Sequence, residues 1–426
     1  MRIDVLFFSL LLLFFPTQLG YHLWPNWSMV LGRRVDYLSP TFYFTDILLL
    51  SAVGTYILFL LLTRKKDVHL KLPGRAQLSV WMLAVGFVLV NIILSQNRAV
   101  SLYKWTKVVE YILLGWYIVQ TKPRINRVIT LLSIGVIYSA VIGIGQFFLQ
   151  RSIGGILWFL GERTFTSQTP GISQIQMCFP FRLGCPLLLR SYATLPHPNV
   201  LAGFIATALP LSFQLMIKKG ILISRFARTV TWLAFLCGGV ALFFTFSRSA
   251  WVMCLAAVGW IIWTEMKKRK NSVIHPHWFP LLLLLLLLVG ILIFQRIAPD
   301  SESISVRNEL NIRAIQLIER APLFGVGLGN FLTRLPEILP SRTIYFLQPV
   351  HNIYLLLLSE TGIVGFLFFI LLVARALRSD VVRIPLTTLL VLGFVDHYVV
   401  TLQQGQLLIA LLLALSIATV PKQVAS

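Results

Sequence analysis

The sequence contains few acidic residues and few charged residues of any kind. Only 15 of the 426 residues are Asp or Glu, and charged residues make up 12% of the chain. Soluble domains contain about a quarter charged residues, so an ordinary soluble protein is excluded. Hydrophobic residues make up 57% of the chain, which is typical of an integral membrane protein.

Signatures of metal and acyl chemistry are also missing. The chain has no HExxH motif, no DxD pair and no cluster of Cys and His, so no divalent-metal site is predicted. It has no G-x-S-x-G motif for acyl transfer either. We therefore expect neither a metal ion nor another cofactor.

The four cysteines divide into two pairs. Cys237 and Cys254 lie in apolar runs and are expected to be small apolar fillers. Cys178 and Cys185 lie in one predicted outer loop. These two either form a disulfide, if that side is oxidising, or remain two free thiols.

Apolar runs long enough to cross a hydrocarbon core of ~30 Å recur along the whole chain. They predict twelve membrane spans, at residues 4–19, 42–62, 77–95, 105–120, 126–149, 197–217, 229–246, 250–264, 279–296, 349–373, 384–400 and 405–421. No small-x-small cleavage site follows the first run, so we interpret it as a retained span and not as a signal peptide. The predicted fold is an all-α polytopic protein with a single membrane domain, residues 1–426.

The distribution of cations indicates the orientation of these spans. With the N-terminus inside, the inner loops are short and basic, at 63–75, 121–127, 218–228, 266–271 and 374–383. This face carries more than half of the 37 Lys and Arg residues. The net charge of +22 therefore reflects topology and attraction to lipid headgroups. Nucleic acid is not an expected partner, because no soluble basic domain is present.

The opposite, outer face has two long loops, residues 150–196 and 297–348, where function is best sought. Its cations are nearly all arginines, with Lys104 and Lys107 as the exceptions. Any single arginine here either caps a helix, pairs with a nearby acid or contacts a ligand. As a set they favour an anionic ligand, because a guanidinium is suited to binding phosphate.

The second long loop is predicted to contain a helix lying along the membrane surface. Ser303 or Ser305 can cap this helix, which runs to about Arg320, and either Arg307 or Arg313 can point from it into a cavity. GVGLGN, at 325–330, then suggests a flexible turn. It is not a nucleotide-binding loop, because it lacks the Lys–Ser/Thr ending and follows a helix instead of a strand.

His351 stands at the outer start of the tenth predicted span, followed by Asn352. The imidazole is either a helix-start cap or a general base placed where water meets lipid headgroups. Glu360 lies deeper in the same span. An ionisable group at that depth is costly, so Glu360 is either functional or a protonated structural anchor.

Further polar residues mark the outer ends of other predicted spans. Arg248, in FTFSRSAW, is either a ligand contact or a snorkelling side chain. His197 and Asn199 open the sixth span, where helix capping competes with catalysis. Asp396, near the end of the eleventh span, can orient a histidine or pair with an arginine. Scattered capping would not select one face so consistently, so a common site is predicted there.

Several of these segments resemble a known family. The order SxxxR, PLFGVGLGNF and HNIYLLLLSETGIVG, together with TFSRSAW, LPHPNVLAGF and DHYVVTLQQGQLL, resembles the O-antigen ligase and O-antigen polymerase superfamily over roughly residues 190–420. The combination is specific, whereas each piece alone would be weak.

The resemblance implies a multi-pass glycosyltransferase of the bacterial inner membrane with its active site on the periplasmic, outer face. Such enzymes move a glycan from an undecaprenyl (polyprenyl) diphosphate carrier to a glycan, lipid or protein acceptor, without metal or nucleotide. By position, His351 matches the catalytic base, and Arg248 and Arg307 match the diphosphate-binding arginines. The spacing also admits Arg313 in place of Arg307, and Asn352 and Glu360 match neighbouring motif positions.

The residues fit such chemistry on physical grounds. Fixed guanidinium groups stabilise the charge that builds on a departing lipid diphosphate, and a neutral imidazole can accept the proton of the attacking hydroxyl. A single displacement of this kind inverts the anomeric centre. Two other functions stay open: a transporter or flippase of an anionic lipid-linked solute, and a non-catalytic partner in polysaccharide assembly. Ligase and polymerase activity are not distinguished by the sequence.

Overall fold

A computed structural model describes residues 2–63, 75–177, 185–217, 224–268, 301–339 and 347–419. Most of these residues are helical. The helices are, in chain order, α1 (Ile3–Leu13), α2 (Phe44–Leu62), α3 (Arg75–Leu94), α4 (Arg98–Thr121), α5 (Ile125–Leu149), α6 (Pro198–Ile217), α7 (Arg225–Phe244), α8 (Arg248–Lys268), α9 (Ser301–Arg320), α10 (Phe331–Ile338), α11 (Ile353–Ala376), α12 (Arg383–Leu392), α13 (Tyr398–Thr401) and α14 (Gln403–Thr419).

Six of these helices, α2, α5, α6, α7, α8 and α11, are long and apolar enough to cross a membrane. Four shorter apolar stretches, Ile3–Leu13, Leu78–Leu94, Arg383–Leu392 and Gln403–Thr419, also coincide with predicted spans. A mainly helical membrane protein is therefore confirmed. The run at 279–296 lies outside the described residues, and the count of twelve spans stays a prediction.

Short connections make neighbouring helices antiparallel. Only residues 95–97 separate α3 from α4, only 122–124 separate α4 from α5, and only 245–247 separate α7 from α8. At the centre lies α6, which packs against α5, α7, α8 and α12. Of its most apolar 18-residue stretch, 78% is buried in the protein. A helix that is buried on all sides is expected to be apolar on all sides.

Segments between the helices carry three small antiparallel sheets that the all-α prediction omitted. The pairs are β1 (Gly20–His22) with β4 (Thr41–Tyr43), β2 (Met29–Val30) with β3 (Arg33–Arg34), and β5 (Gln174–Gln176) with β6 (Leu187–Leu189). Strands of two or three residues are too short to show an alternating pattern. Two of the sheets lie between α1 and α2, in a third long segment that the sequence analysis did not single out.

The predicted helix in the second long loop is present as α9 and begins at Ser301, slightly earlier than expected. Leu310, Ala314 and Leu317 form its buried stripe, in a core that also contains Phe331, Leu332 and Leu335 of α10. Ile312 and Ile315 are about half exposed on another side. The helix is thus anchored to the protein along one face.

The predicted span at 384–400 is wrong as a single helix. α12 ends at Leu392, and residues 393–397 are not helical before the short α13 begins. The backbone N–H of Ile353, the first residue of α11, donates to the carbonyl oxygen of Gly393 at 2.8 Å. This carbonyl therefore pairs with the start of α11. The break brings Asp396 and His397 beside the start of α11.

Candidate functional site

A polar cluster forms where α11 begins and the segment after α12 ends. The imidazole rings of His351 and His397 lie edge to face, with their centroids 4.9 Å apart. The ring of Tyr37 packs edge-on against His397 at 5.2 Å, and His397 Nδ1 lies 2.7 Å from Thr401 Oγ1. His351 is partly exposed, whereas His397 is buried.

Asp396, which precedes His397 in the chain, is connected by hydrogen bonds to the segment that opens α6. Asn199 Nδ2 donates to Asp396 Oδ2 at 2.8 Å, and Arg190 Nη2 donates to Asn199 Oδ1 at 2.7 Å. His197 Nδ1 accepts the backbone N–H of Asn199 at 3.1 Å. Three sequence-predicted residues, His197, Asn199 and Asp396, are therefore brought together with His351.

Arg307 approaches the cluster from α9. It lies on the turn before Leu310, on the side of the helix that carries the buried stripe. Its positive charge lowers the pKa of both His351 and His397. The charge of Arg307 therefore acts on the imidazole pair.

The electrostatics of the cluster favour neutral histidines. Burial lowers the pKa of His351, an effect that Arg307 reinforces and Asp396 opposes. Burial also lowers the pKa of His397 and of His197 to about 3. At neutral pH the imidazoles are consequently uncharged.

Asp396 is the carboxylate of the cluster. Burial opposes its ionisation, whereas the Asn199 amide, which donates to the carboxylate, favours the ionised form and lowers its pKa. The groups charged at neutral pH are then Arg190, Arg307 and Asp396, which leaves an excess of positive charge. Such an arrangement suits an anion.

Two polar atoms of the cluster lack hydrogen-bond partners. Among the residues that the structure describes, neither Arg307 Nε nor His351 Nδ1 has a partner, although both atoms are buried. A buried polar atom without a partner costs about 1–3 kcal/mol, so such atoms are uncommon. Both belong to residues that the sequence assigned to ligand and proton chemistry.

Arg248 begins α8, directly after the tight connection from α7. Arg190 Nε donates to the carbonyl oxygen of Thr245 at 2.7 Å, three residues before Arg248. Arg190 also donates to Ser173 Oγ at 3.0 Å. The hairpin that carries Arg248 is thus fastened to the same segment that holds Asn199.

Two other predicted residues make local contacts. Asn352 caps α11, because its Oδ1 accepts the N–H of Tyr354 at 2.9 Å and of Leu355 at 3.2 Å. Arg313 pairs with Glu309 on its own helix and donates to Gln316 Oε1 at 3.1 Å. Of the two arginines that the spacing admitted, Arg307 is the one whose charge acts on His351, whereas Arg313 is paired on its own helix.

Glu360 lies away from the imidazoles and contacts the glycine segment. Its carboxyl oxygens accept the N–H of Gly329 at 2.8 Å and of Phe331 at 3.1 Å. This contact supports the structural alternative for Glu360. The expectation of a flexible turn at 325–330 is also corrected, since these hydrogen bonds hold the segment against α11.

Of the two cysteines in the predicted outer loop, the structure describes Cys185. Cys185 is disulfide-bonded, so a free thiol is excluded there. Cys178 lies outside the described residues, and its pairing with Cys185 stays a prediction. Cys237 and Cys254 are free, and Cys254 is buried, as expected for an apolar filler.

Sequence reasoning missed Arg190 and left His397 without a role of its own. Both stand next to predicted residues, Arg190 shortly before LPHPN and His397 directly after Asp396. Only the arginine bias of the outer face pointed to Arg190. Within the described ranges, no three His, Cys, Asp or Glu residues form a group that could hold a metal ion.

The fold and this cluster define a helical membrane protein with a cationic, imidazole-containing site at one end of its helices. A family model described as O-antigen ligase matches residues 233–370. This match confirms the resemblance to the O-antigen ligase and polymerase superfamily and supports a multi-pass bacterial membrane enzyme that transfers glycans. No curated protein matches the chain.

The matched range contains some of the candidate site residues and leaves out others. It contains Arg248, Arg307 and His351, whereas His197 and Asp396 lie outside it. The cluster nevertheless joins residues from both parts through the contacts of His351 with His397 and of Asn199 with Asp396. The cluster therefore combines residues from inside and outside the matched range.

Proposed function

We propose that the protein is a metal-independent glycosyltransferase. It moves a glycan from an undecaprenyl (polyprenyl) diphosphate carrier to an acceptor hydroxyl on a glycan, a lipid or a protein. The observation that carries this proposal is the buried Nδ1 of His351, which has no partner among the described residues, together with the charge of Arg307, which lowers the pKa of this imidazole. The reaction takes place on the outer, periplasmic face of the inner membrane.

Arg307 and Arg248 bind the diphosphate of the donor. When the glycosyl–phosphate bond breaks, negative charge builds on the leaving group, and fixed guanidinium groups stabilise it more than they stabilise the ground state. Arg190 holds Asn199 and the α7–α8 connection, so it keeps this part of the site in place. No nucleotide takes part in this step.

His351 is the general base. Its lowered pKa keeps the imidazole neutral at pH 7, and it takes the proton of the acceptor hydroxyl as that oxygen attacks the anomeric carbon. The attack comes from the side opposite the diphosphate, so the configuration inverts. Asp396, whose charge raises the pKa of His351, stabilises the imidazolium that forms.

A transporter or flippase of a lipid-linked anion is the alternative. It requires ionisable groups that can exchange partners along a path through the membrane. Instead, Lys107 Nζ lies 2.7 Å from Asp46 Oδ1 and 2.6 Å from Glu110 Oε2, and Glu360 accepts two backbone N–H groups. These contacts favour the enzyme over the transporter.

The test is glycan transfer by the purified protein in liposomes. Polyprenyl-diphosphate glycan is supplied with candidate acceptors offered one at a time, and transferred glycan and released polyprenyl diphosphate are measured. We expect transfer by the wild type, its loss in Arg307→Ala, and its retention in the matched control Arg313→Ala.

Three outcomes would count against the proposal. They are an untouched donor with every acceptor, movement of the intact donor between leaflets without transfer, and full transfer by Arg307→Ala. The second outcome would support the transporter.

A further inference from the structure

The segment after α9 forms a backbone joint with α11. Residues 322–327 lie against residues 359–364, and four hydrogen bonds connect the two segments. They are Val326 N to Ser359 O at 2.9 Å, Gly327 N to Glu360 O at 3.0 Å, Ile363 N to Pro322 O at 2.9 Å and Val364 N to Leu323 O at 3.2 Å. The helix that carries Arg307 is thereby tied to the helix that follows His351.

Two glycines make this contact possible. Gly362 interrupts α11 with φ 63° and ψ −172°, which frees backbone groups that a continuous helix would have paired internally. A Cβ on Gly362 would lie 2.3 Å from the carbonyl carbon of Leu323, and a Cβ on Gly325 would lie 2.3 Å from that of Glu360. Any other residue at either position would push the two backbones apart.

Asn91 of α3 lies at the centre of the joint and is completely buried. Its Nδ2 donates to the carbonyl oxygens of Phe324 at 2.8 Å and Glu360 at 2.9 Å. Its Oδ1 accepts the N–H of Leu328 at 3.0 Å and the indole N–H of Trp105 at 2.9 Å. Both donors and both lone pairs of the amide are used.

This arrangement is specific to the joint. Asn91 contacts the backbone of both segments, so its loss would leave buried carbonyl and N–H groups without partners on each side. The Glu360 carboxyl holds the following turn at Gly329 and Phe331. Asn91 lies outside residues 233–370, which the family model matches.

We propose that Asn91 is a positioning residue for glycan transfer. It fixes α9 against α11, so that the guanidinium of Arg307 and the imidazole of His351 meet one substrate. Asn91 itself does not touch the reacting atoms. The inference rests on the proposed function, in which a misplacement of about 1 Å costs on the order of 100-fold in rate.

The first measurement is the distance between α9 and α11. Nitroxide labels on cysteines introduced at Asn308 and Leu367, both exposed, report this distance by pulsed electron paramagnetic resonance. We expect a narrow distribution in the wild type and a broad one in Asn91→Ala and in Asn91→Ser. Two substitutions are used so that one folded variant suffices.

The second measurement separates kcat from KM for the donor. Because the variants misplace the site without removing a ligand contact, we expect kcat to fall about 10- to 100-fold and KM to change little. Trp105→Phe is one control, since it removes a partner of Asn91 that lies outside the joint. Ser133→Ala is the other, since it removes a buried interhelical hydrogen bond of 2.8 Å to Ser212.

An unchanged distance distribution in the Asn91 variants would overturn the proposal, and so would a broad distribution with unchanged kcat. An equal loss of kcat in Ser133→Ala would reduce the effect to general destabilisation and overturn it too. The distance measurement does not depend on glycan transfer. If the wild type transferred no glycan, the proposed function would fail, while the distances would still decide whether Asn91 holds the joint.

Discussion

Two buried polar clusters of this protein differ in the balance of their charges. In the first, between α2, α4 and α14, Lys107 pairs with Asp46 and with Glu110. Gln403 donates to Asp46 and accepts the hydroxyl of Tyr111 at 2.8 Å. The cation of this cluster, Lys107, thus has two carboxylate partners. Among the described residues, one oxygen of Glu110 has no hydrogen-bond partner.

The second cluster, around His351, has the opposite balance. Its arginines are Arg190, which is joined to Asp396 through Asn199, and Arg307, whose charge acts on His351 and His397, and Asp396 is its carboxylate. Arg307 Nε and His351 Nδ1 have no partners among the described residues. Buried charge is costly unless it is paired. Both clusters thus contain a buried atom without a partner among the described residues, but the Lys107 cluster gives its cation two carboxylate partners. We propose that the His351 cluster, which has more cationic than anionic groups, is completed by an anionic ligand.

The largest effect is expected for His351→Ala. Loss of the general base should lower kcat about 10²- to 10⁴-fold while the protein still inserts and folds. Single-turnover transfer from the lipid-linked donor measures this change. Transfer at the wild-type rate would show that His351 takes no part in the chemistry. The contrast between a functional and a structural cluster would then fail.

Asp396→Asn should have the next largest effect, about tenfold or more on kcat, because the carboxylate stabilises the imidazolium of His351. The amide has nearly the same shape, so the change isolates charge. Kinetics at several donor concentrations check this. An unchanged kcat would mean that Asp396 serves only to hold Asn199.

The pH dependence of kcat sharpens the same point. Burial lowers the pKa of His351 below its ordinary 6.5, so activity should persist at neutral pH and fall only as the pH drops through that lowered pKa. Asp396 raises the pKa of His351, so Asp396→Asn should move this acid limb to lower pH. A limb that moves to higher pH would contradict the electrostatic argument.

Lys107→Met tests the other cluster and should affect stability instead of chemistry. Removing one partner of a buried ion pair costs about 3–5 kcal/mol, because the carboxylates lose their counter-charge. We expect a lower thermal unfolding temperature and a nearly unchanged kcat per folded molecule. A large loss of kcat at full stability would show that the Lys107 cluster also serves the reaction.

The smallest effect is expected for Arg313→Ala. Arg313 pairs with Glu309 on its own helix, and pairs of this kind contribute less than about 1 kcal/mol. Transfer and stability should therefore stay near wild type. If Arg313→Ala abolished transfer and Arg307→Ala did not, the two arginines would have to exchange roles.

The sequence predicted several site residues that lie near one another in the structure. Motif order and the ends of apolar runs selected His351, Asp396 and Asn199, and helical spacing placed an arginine-bearing helix before Arg320. These features are local in the chain. Short-range patterns of this kind are readable from one sequence.

The rest depends on contacts between distant segments. Asn91 is 233 residues from Phe324, and no pattern near Asn91 indicates that contact. The kink at Gly362 and the break after Leu392 arise where another backbone approaches, although apolar composition alone favours a continuous helix. Sequence reasoning therefore found the chemical groups but not the joint that holds them.

The central claim is that the His351 cluster binds the diphosphate of a lipid carrier. The most direct measurement is the affinity of polyprenyl diphosphate, compared with polyprenyl monophosphate, for wild type, Arg307→Ala and Arg313→Ala. We expect the wild type and Arg313→Ala to prefer the diphosphate and Arg307→Ala to lose that preference. Equal affinities for both lipids in all three proteins would contradict the account.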